Sequence, residues 1–273
     1  MQTIVYNGSF EGFLCAVFDV YEYKLTDVNI VSAHKHQPSL FAEPHHVNFN
    51  LQHSDRVWKG LQKKLTKAAQ DQVYRTFLSE IDGIENTLLQ YIQYVFSSET
   101  FMEEDYSNAA VLTVFQTAKK VWREKHRMEA FVRFQHTADG LYYAIIDPDF
   151  NVLPLIADHF KTRYADQRWM IYDGRRRYGL YYDLNSVTTV QIQFAEAVGN
   201  SSDVSQVYDE TEAIYQQLWK QYFKSINIAA RKNTKLHIQH MPRRYWKYLP
   251  EKSPLENGGG LQDRLTNWTY RRA

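Results

Sequence analysis

The chain opens on an apolar run, residues 3–6, that reads as a short strand ending in a turn at Asn7-Gly8, and its hydrophobic period then changes. Phe10, Phe13, Leu14, Val17, Phe18 and Tyr21 recur at helical spacing and predict a helix with one apolar face and Ser9 as its N-cap. Cys15 falls off that face and is expected to be partly exposed. DVNIVSA and PHHVNFN read as strands. Three helical segments follow. SDRVWKGLQKKLT is the first. The second places Val73, Phe77, Ile81, Ile84, Leu88, Tyr91 and Val95 on one face, with Gly83 weakening its middle. The third uses Val111, Val114, Phe115, Ala118, Val121 and Trp122.

Further along, the pattern shifts to short runs of aromatic and β-branched residues. MEAFVRFQ, GLYYAII, RWMIYDG and RYGLYYD predict strands, and DGRRR marks a hairpin turn. LPLIADHFKTRY predicts a helix with Pro154 near its first turn. TTVQIQF fits either a strand or a helix start. After GNSSD, Asp203 and Gln206 form a capping-box-like pair. Val204, Val207, Tyr208, Thr211, Tyr215, Leu218 and Tyr222 make the stripe of the long helix that follows. Residues 251–273 read as a flexible tail. The expected class is α+β: an antiparallel sheet packed by several long helices, with a helical basic C-terminal segment. Residues 1–250 are expected to form one module, with a helical lobe over 1–106 and an α+β lobe over 107–250.

Composition excludes several classes. No apolar run approaches the ~20 residues of a membrane helix. The first apolar stretch lacks a basic flank and is broken by Glu11 and Asp19, so no secretory leader is expected and a cytoplasmic location is. The single Cys15 excludes an internal disulfide framework and a cysteine-based zinc site. His34, His36, His45, His46 and His53 lie close in sequence but without H-x-x-x-H spacing, so neither a metal nor a cofactor is expected. P-loop, dinucleotide-binding and nucleophile-elbow motifs are absent.

Charge changes the picture most. Residues 213–250 carry eight Lys and Arg and no carboxylate, while the whole chain has a formal net charge of +1, so the remainder carries −7. Arg243 and Arg244 sit beside Tyr245, Trp246 and Tyr248, and Arg231, Lys232 and Asn233 would share a helix end. Cations neutralise phosphates and aromatic faces stack on unpaired bases, so this stretch is a candidate nucleic-acid surface. Its residues are Arg231, Lys232, Asn233, Lys235, His240, Arg243, Arg244, Tyr245 and Trp246, with Arg133 from outside the stretch as a further nucleic-acid-binding candidate. The competing reading is a basic face docked on the acidic remainder of the same chain. A second basic zone holds Arg123, Lys125, His126, Arg127 and Arg133, with Arg133 expected inside an aromatic strand, opposite Phe134. Its plainer reading is a solvated helix end with cations near the negative pole. His159 and Arg163, four apart, share a helix face and suit a phosphate or a carboxylate. The plainer alternative there is an edge pair touching Asp147 or Asp149.

These blocks together resemble a bacterial family of probable DNA metabolism proteins, also described as domain of unknown function 4130. YNGSFEGFLCAVFDVY, HRMEAFVRF, YYAIIDPDFNVLPLIADHFKTRY, WMIYDGRRRYGLYY and NIAARKN…HMPRRYW resemble its blocks in the same order, over about residues 3–249. Asn7 stands where the family pattern has Asp, which counts against an acid at that position. The resemblance implies DNA modification or repair beside a radical S-adenosylmethionine protein. Some relatives carry a fused uracil-DNA-glycosylase-like domain, and IIDPDFN lacks that domain's Gly-rich loop. Two functions follow as expectations. One is a DNA-binding accessory or repair protein. The other is an enzyme acting directly on a damaged or modified base, with His159, Arg163 and His126 as its catalytic candidates.

Overall fold

The computed structural model describes residues 2–38, 43–98, 103–138, 140–191, 238 and 240–252. The predicted long helix with its stripe from Val204 to Tyr222 therefore lies outside the described residues, as do Arg231, Lys232, Asn233, Lys235 and the tail from residue 253. The chain divides into two compact units, one of residues 1–124 with 149–151 and one of residues 125–148 with 152–273.

In the first unit, β1 (Gln2–Tyr6) lies between β2 (Val28–Ser32) and β3 (His45–His46), parallel to both. A parallel pair needs a crossover, and α1 (Phe10–Glu22) supplies it between β1 and β2. Ser9 caps α1 as expected, its Oγ accepting from Gly12 N at 2.9 Å. Asn7 Oδ1 in turn accepts from Ser9 N at 3.0 Å and from Ser9 Oγ at 2.8 Å. That role needs an oxygen and no charge, so Asn7 fills it as Asp would. α1 packs on β1 and on α2 (Leu51–Lys64). Covered from two directions, it buries every residue from Gly12 to Val17. Cys15 is wholly buried, against expectation, and its thiol donates to Asn50 O at 3.2 Å.

The second predicted helix is two helices, α3 (Lys67–Phe77) and α4 (Ile84–Ser97). Glu80 (φ 52°) and Gly83 (φ 78°) adopt left-handed backbone between them, which a right-handed helix cannot contain. Ile81 of the predicted stripe is accordingly exposed. Ile4, Phe13, Val17, Ile30, Leu61, Val73, Leu88, Ile92 and Val114 belong to the core of this unit. α5 (Ala109–Phe131) is longer than its stripe predicts and takes the first half of MEAFVRFQ, because Met, Glu and Ala favour helix. Of that run only Gln135 is in a strand, β4 (Gln135–His136). The cations from Arg123 to Arg127 are thus not at a helix end, and Arg133 is not in a strand. Arg133 Nη1 instead donates to the carbonyls of Ala130 at 2.8 Å and Val132 at 3.1 Å, closing the end of α5.

In the second unit, β4 is followed across the sheet by β5 (Tyr142–Ile146), β6 (Trp169–Asp173), β7 (Tyr178–Tyr182) and β8 (Val187–Val190). The chain is α+β as expected, but this sheet is mixed and not antiparallel throughout. β5 and β6 run parallel, with Ile146 opposite Asp173, because α6 (Leu153–Arg163) crosses over between them. The other three pairings are antiparallel. Leu153, Ile156 and Phe160 bury one side of α6, and Phe160 stands edge-on to Trp169. Residues 243–248 form a tight 3-10 helix that buries Tyr245 in this unit. Among the described residues, no helix is long and apolar enough to cross a membrane.

Gly179 lies opposite Tyr172 in the β6–β7 ladder, and a Cβ there would sit 2.8 Å from Ile171 O. Backbone atoms cannot move aside, so Gly179→Ala is expected to cost about 3 kcal/mol. At Gly83 an added Cβ meets nothing within 4 Å, and Gly83→Ala should cost only about 1 kcal/mol, from the left-handed backbone. Urea denaturation of both variants checks the order. Equal losses would contradict it.

Candidate functional site

The 3-10 helix Arg243–Tyr248 is moored from below and cationic above. Tyr245 is 2% exposed, with its ring 5.6 Å from that of Phe131, so it offers no free face to a base. The sequence-based stacking role is corrected for this residue. Arg244 lies over the Tyr245 ring at 4.5 Å and donates through Nη2 to its hydroxyl. Trp246 is half-buried, its Nε1 donating to Met241 O at 3.0 Å. Arg243 and Lys252 lie 5.8 and 5.3 Å from its ring centre. Arg243, Arg244, Lys247 and His240 are exposed. Lys247 Nζ bonds Asp147 Oδ2 at 2.9 Å, which ties the helix to the segment leaving β5. The competing reading of an internally docked basic face therefore holds for Lys247, which is paired within its own unit.

A second group of cations occupies the β6–β7 hairpin. Arg175 and Arg177 are exposed at its tip. Asp173, wholly buried, accepts through Oδ1 from Arg175 N at 2.9 Å and Arg176 N at 3.0 Å. Its Oδ2 accepts from Arg176 Nη1 at 3.0 Å, and the same nitrogen reaches Pro148 O at 3.1 Å. Burial pushes the Asp173 carboxyl above the usual range, against the pull of Arg176. DGRRR is legible as a turn, but its contribution of cations to a surface is not, because residues 147–148 join it to the 3-10 helix only in three dimensions.

The three catalytic candidates do come together. His126 Nδ1 and His159 Nδ1 each lie 3.7 Å from an oxygen of Glu129, one on either carboxylate oxygen. Lys125 Nζ bonds Glu129 Oε1 at 2.7 Å. At 3.7 Å the imidazoles are at ion-pair range and beyond hydrogen bonding. Arg163 shares the α6 face with His159 and joins Lys125, Glu129, Leu155, Asp158 and Thr162 around an open depression of about 770 Å³. The plainer alternative was an edge pair touching Asp147 or Asp149; the carboxylate beside His159 is Glu129, and Asp147 is paired with Lys247. Sequence reasoning missed Glu129 as the common partner. Its signal was present, since Lys125 and Glu129 are four apart and His126 and Glu129 three apart on a helix.

Elsewhere histidines serve structure: His45 Nε2 pairs with Asp19 Oδ2 at 2.8 Å, and His53 stacks on Phe18 at 4.0 Å. Among the described residues no group of three or more His, Cys, Asp or Glu is placed to hold a metal.

The family model described as a domain of unknown function (DUF4130) matches residues 82–251, more than half of the chain. No curated protein matches the chain.

The mooring of the 3-10 helix carries a pH signature. Burial pushes the Tyr248 hydroxyl up to about 12, with Lys247 opposing. Burial alone would lower the Lys247 ammonium, but its hydrogen bonds with Tyr248 and Asp147 hold it above the usual range. A tyrosine raised in the folded state leaves stability intact below its ordinary value of about 10 and loses it as pH rises beyond. Wild-type stability is expected to fall relative to Tyr248→Phe between about pH 10 and pH 12. Parallel profiles in denaturant titrations across that window would refute this.

Proposed function

The chain belongs to the DUF4130 family, and from that premise we propose a DNA-binding accessory or repair protein that works beside a radical S-adenosylmethionine protein in DNA modification or repair. The observation that carries the DNA-binding part is the exposed Arg243–Arg244 pair on a helix whose other side is anchored by Tyr245 and Lys247. Guanidinium groups held on a fixed base suit phosphate oxygens. The ring of Trp246 is already engaged by two cations, which favours contact with the backbone over base stacking and hence binding with little sequence preference. The radical S-adenosylmethionine partner and a bacterial setting rest on the resemblance of the sequence blocks alone.

One observation favours a second reading, an enzyme acting directly on a damaged or modified base. Glu129 lies between His126 and His159 beside an open depression that also holds Arg163. A carboxylate near two imidazoles can bias an imidazole toward taking or giving a proton. If the protein turns over a lesion-containing strand, His159→Gln should lower kcat/KM by about 10²–10⁴.

The binding reading is tested by fluorescence anisotropy with a labelled single strand and a duplex over a range of salt. Affinity should fall with salt, by about 0.7–0.9 log units per log unit for each phosphate contact. Arg243→Ala with Arg244→Ala should lower that slope by roughly 1.5. A wild-type protein with no salt-dependent binding to either strand at low ionic strength would overturn the reading.

A further inference from the structure

The hairpin Asp173–Arg177 and the 3-10 helix Arg243–Tyr248 are far apart in sequence but meet at one short segment. β5 and β6 are parallel and in register at Ile146 and Asp173, so both chains leave the sheet at the same end. Residues 147–148 then receive Lys247 through the Asp147 carboxylate and Arg176 through the Pro148 carbonyl. Each group of cations is thus tied to the same two residues by a bond of about 3 Å.

The hairpin itself is built against its own charge. Three consecutive arginines in a tight turn repel one another. Asp173 and Pro148 absorb the middle one, whose side chain is only 11% exposed, and Arg175 and Arg177 stay at the surface. Arg177 also adopts a left-handed backbone, φ 59°, which is strained for a residue with a side chain. Asn or Gly would fill the position with less strain.

We infer that Arg175 and Arg177 extend the phosphate-contacting surface of the 3-10 helix, so that one nucleic-acid backbone runs across the carboxyl ends of β5 and β6 and is gripped by both segments. The inference rests on the DNA-binding reading above and adds to it a second, sequence-distant set of contacts. Asp173 is then a positioning residue, since it holds the turn that presents Arg175 and Arg177.

The experiment uses the full chain, labelled single-stranded and duplex oligonucleotides, and anisotropy titrations at several salt concentrations. Four proteins are compared: wild type, Arg175→Ala with Arg177→Ala, Arg243→Ala with Arg244→Ala, and all four together. Lys63→Ala, an exposed cation of the first unit, is the control. Each double variant should reduce the salt slope by roughly 1.5 and the quadruple variant by roughly 3, while Lys63→Ala matches wild type. If the hairpin variant keeps the wild-type slope and affinity while the Arg243/Arg244 variant does not, the inference fails and the DNA-binding reading stands. If wild type itself shows no salt-dependent binding, both fail. A loss at the hairpin variant that persists unchanged at high salt would also overturn the inference, since phosphate contacts must be salt-sensitive.

Discussion

Much of the second unit depends on one constraint, the parallel pairing of β5 with β6. Strands that run the same way cannot be joined by a tight turn, so the chain must cross over, and the crossover is α6. That crossover has two consequences. It lays His159 and Arg163 on the outer face of a helix whose inner face, Leu153, Ile156 and Phe160, is buried. It also brings the exits of β5 and β6 to one end of the sheet, where residues 147–148 and 173–177 can bond. An antiparallel pairing would have sent those exits to opposite ends, and the two arginine groups with them.

Electrostatics at that end is organised by two carboxylates of different exposure. Asp147 is partly exposed, and its pairing with Lys247 is a surface ion pair of modest worth. Asp173 is wholly buried, and its cost in the ionised form is offset in part by two backbone N–H groups and the Arg176 guanidinium. Removing one member of such a buried set leaves an uncompensated group. The turn is therefore held stiffly, and cations on a stiff turn lose little conformational freedom when they meet a phosphate.

The sequence made much of this fold legible, and its failures have physical causes. Strand–turn–helix at Tyr6–Phe10 was readable because Gly8 and Ser9 carry strong local signals. GLYYAII, RWMIYDG and RYGLYYD were readable because β-branched and aromatic residues cluster between turn residues. Cys15 misled because a helix packed on two sides buries residues off its main stripe. MEAFVRFQ misled because helix-favouring Met, Glu and Ala precede its aromatic half. The parallel register of β5 and β6 is a property of pairing, not of either run, so the sheet was expected to be antiparallel throughout. At the candidate site, Arg243 and Arg244 were readable from charge alone, whereas Tyr245 was assigned outward because no local signal separates a stacking tyrosine from one packed on Phe131. Glu129 carried a local signal in its helical spacing from Lys125 and His126, whereas Arg175 and Arg177 enter only once distant segments are brought together.

The central claim, that two sequence-distant arginine groups grip one backbone, is tested most directly by arginine-selective chemical modification mapped by mass spectrometry, with and without bound oligonucleotide. Arg175, Arg177, Arg243 and Arg244 are expected to become protected together at the same oligonucleotide concentration, while the exposed Arg56 of the first unit keeps its reactivity. Protection of Arg243 and Arg244 with undiminished reactivity at Arg175 and Arg177, or protection spread evenly over both units, would contradict the account.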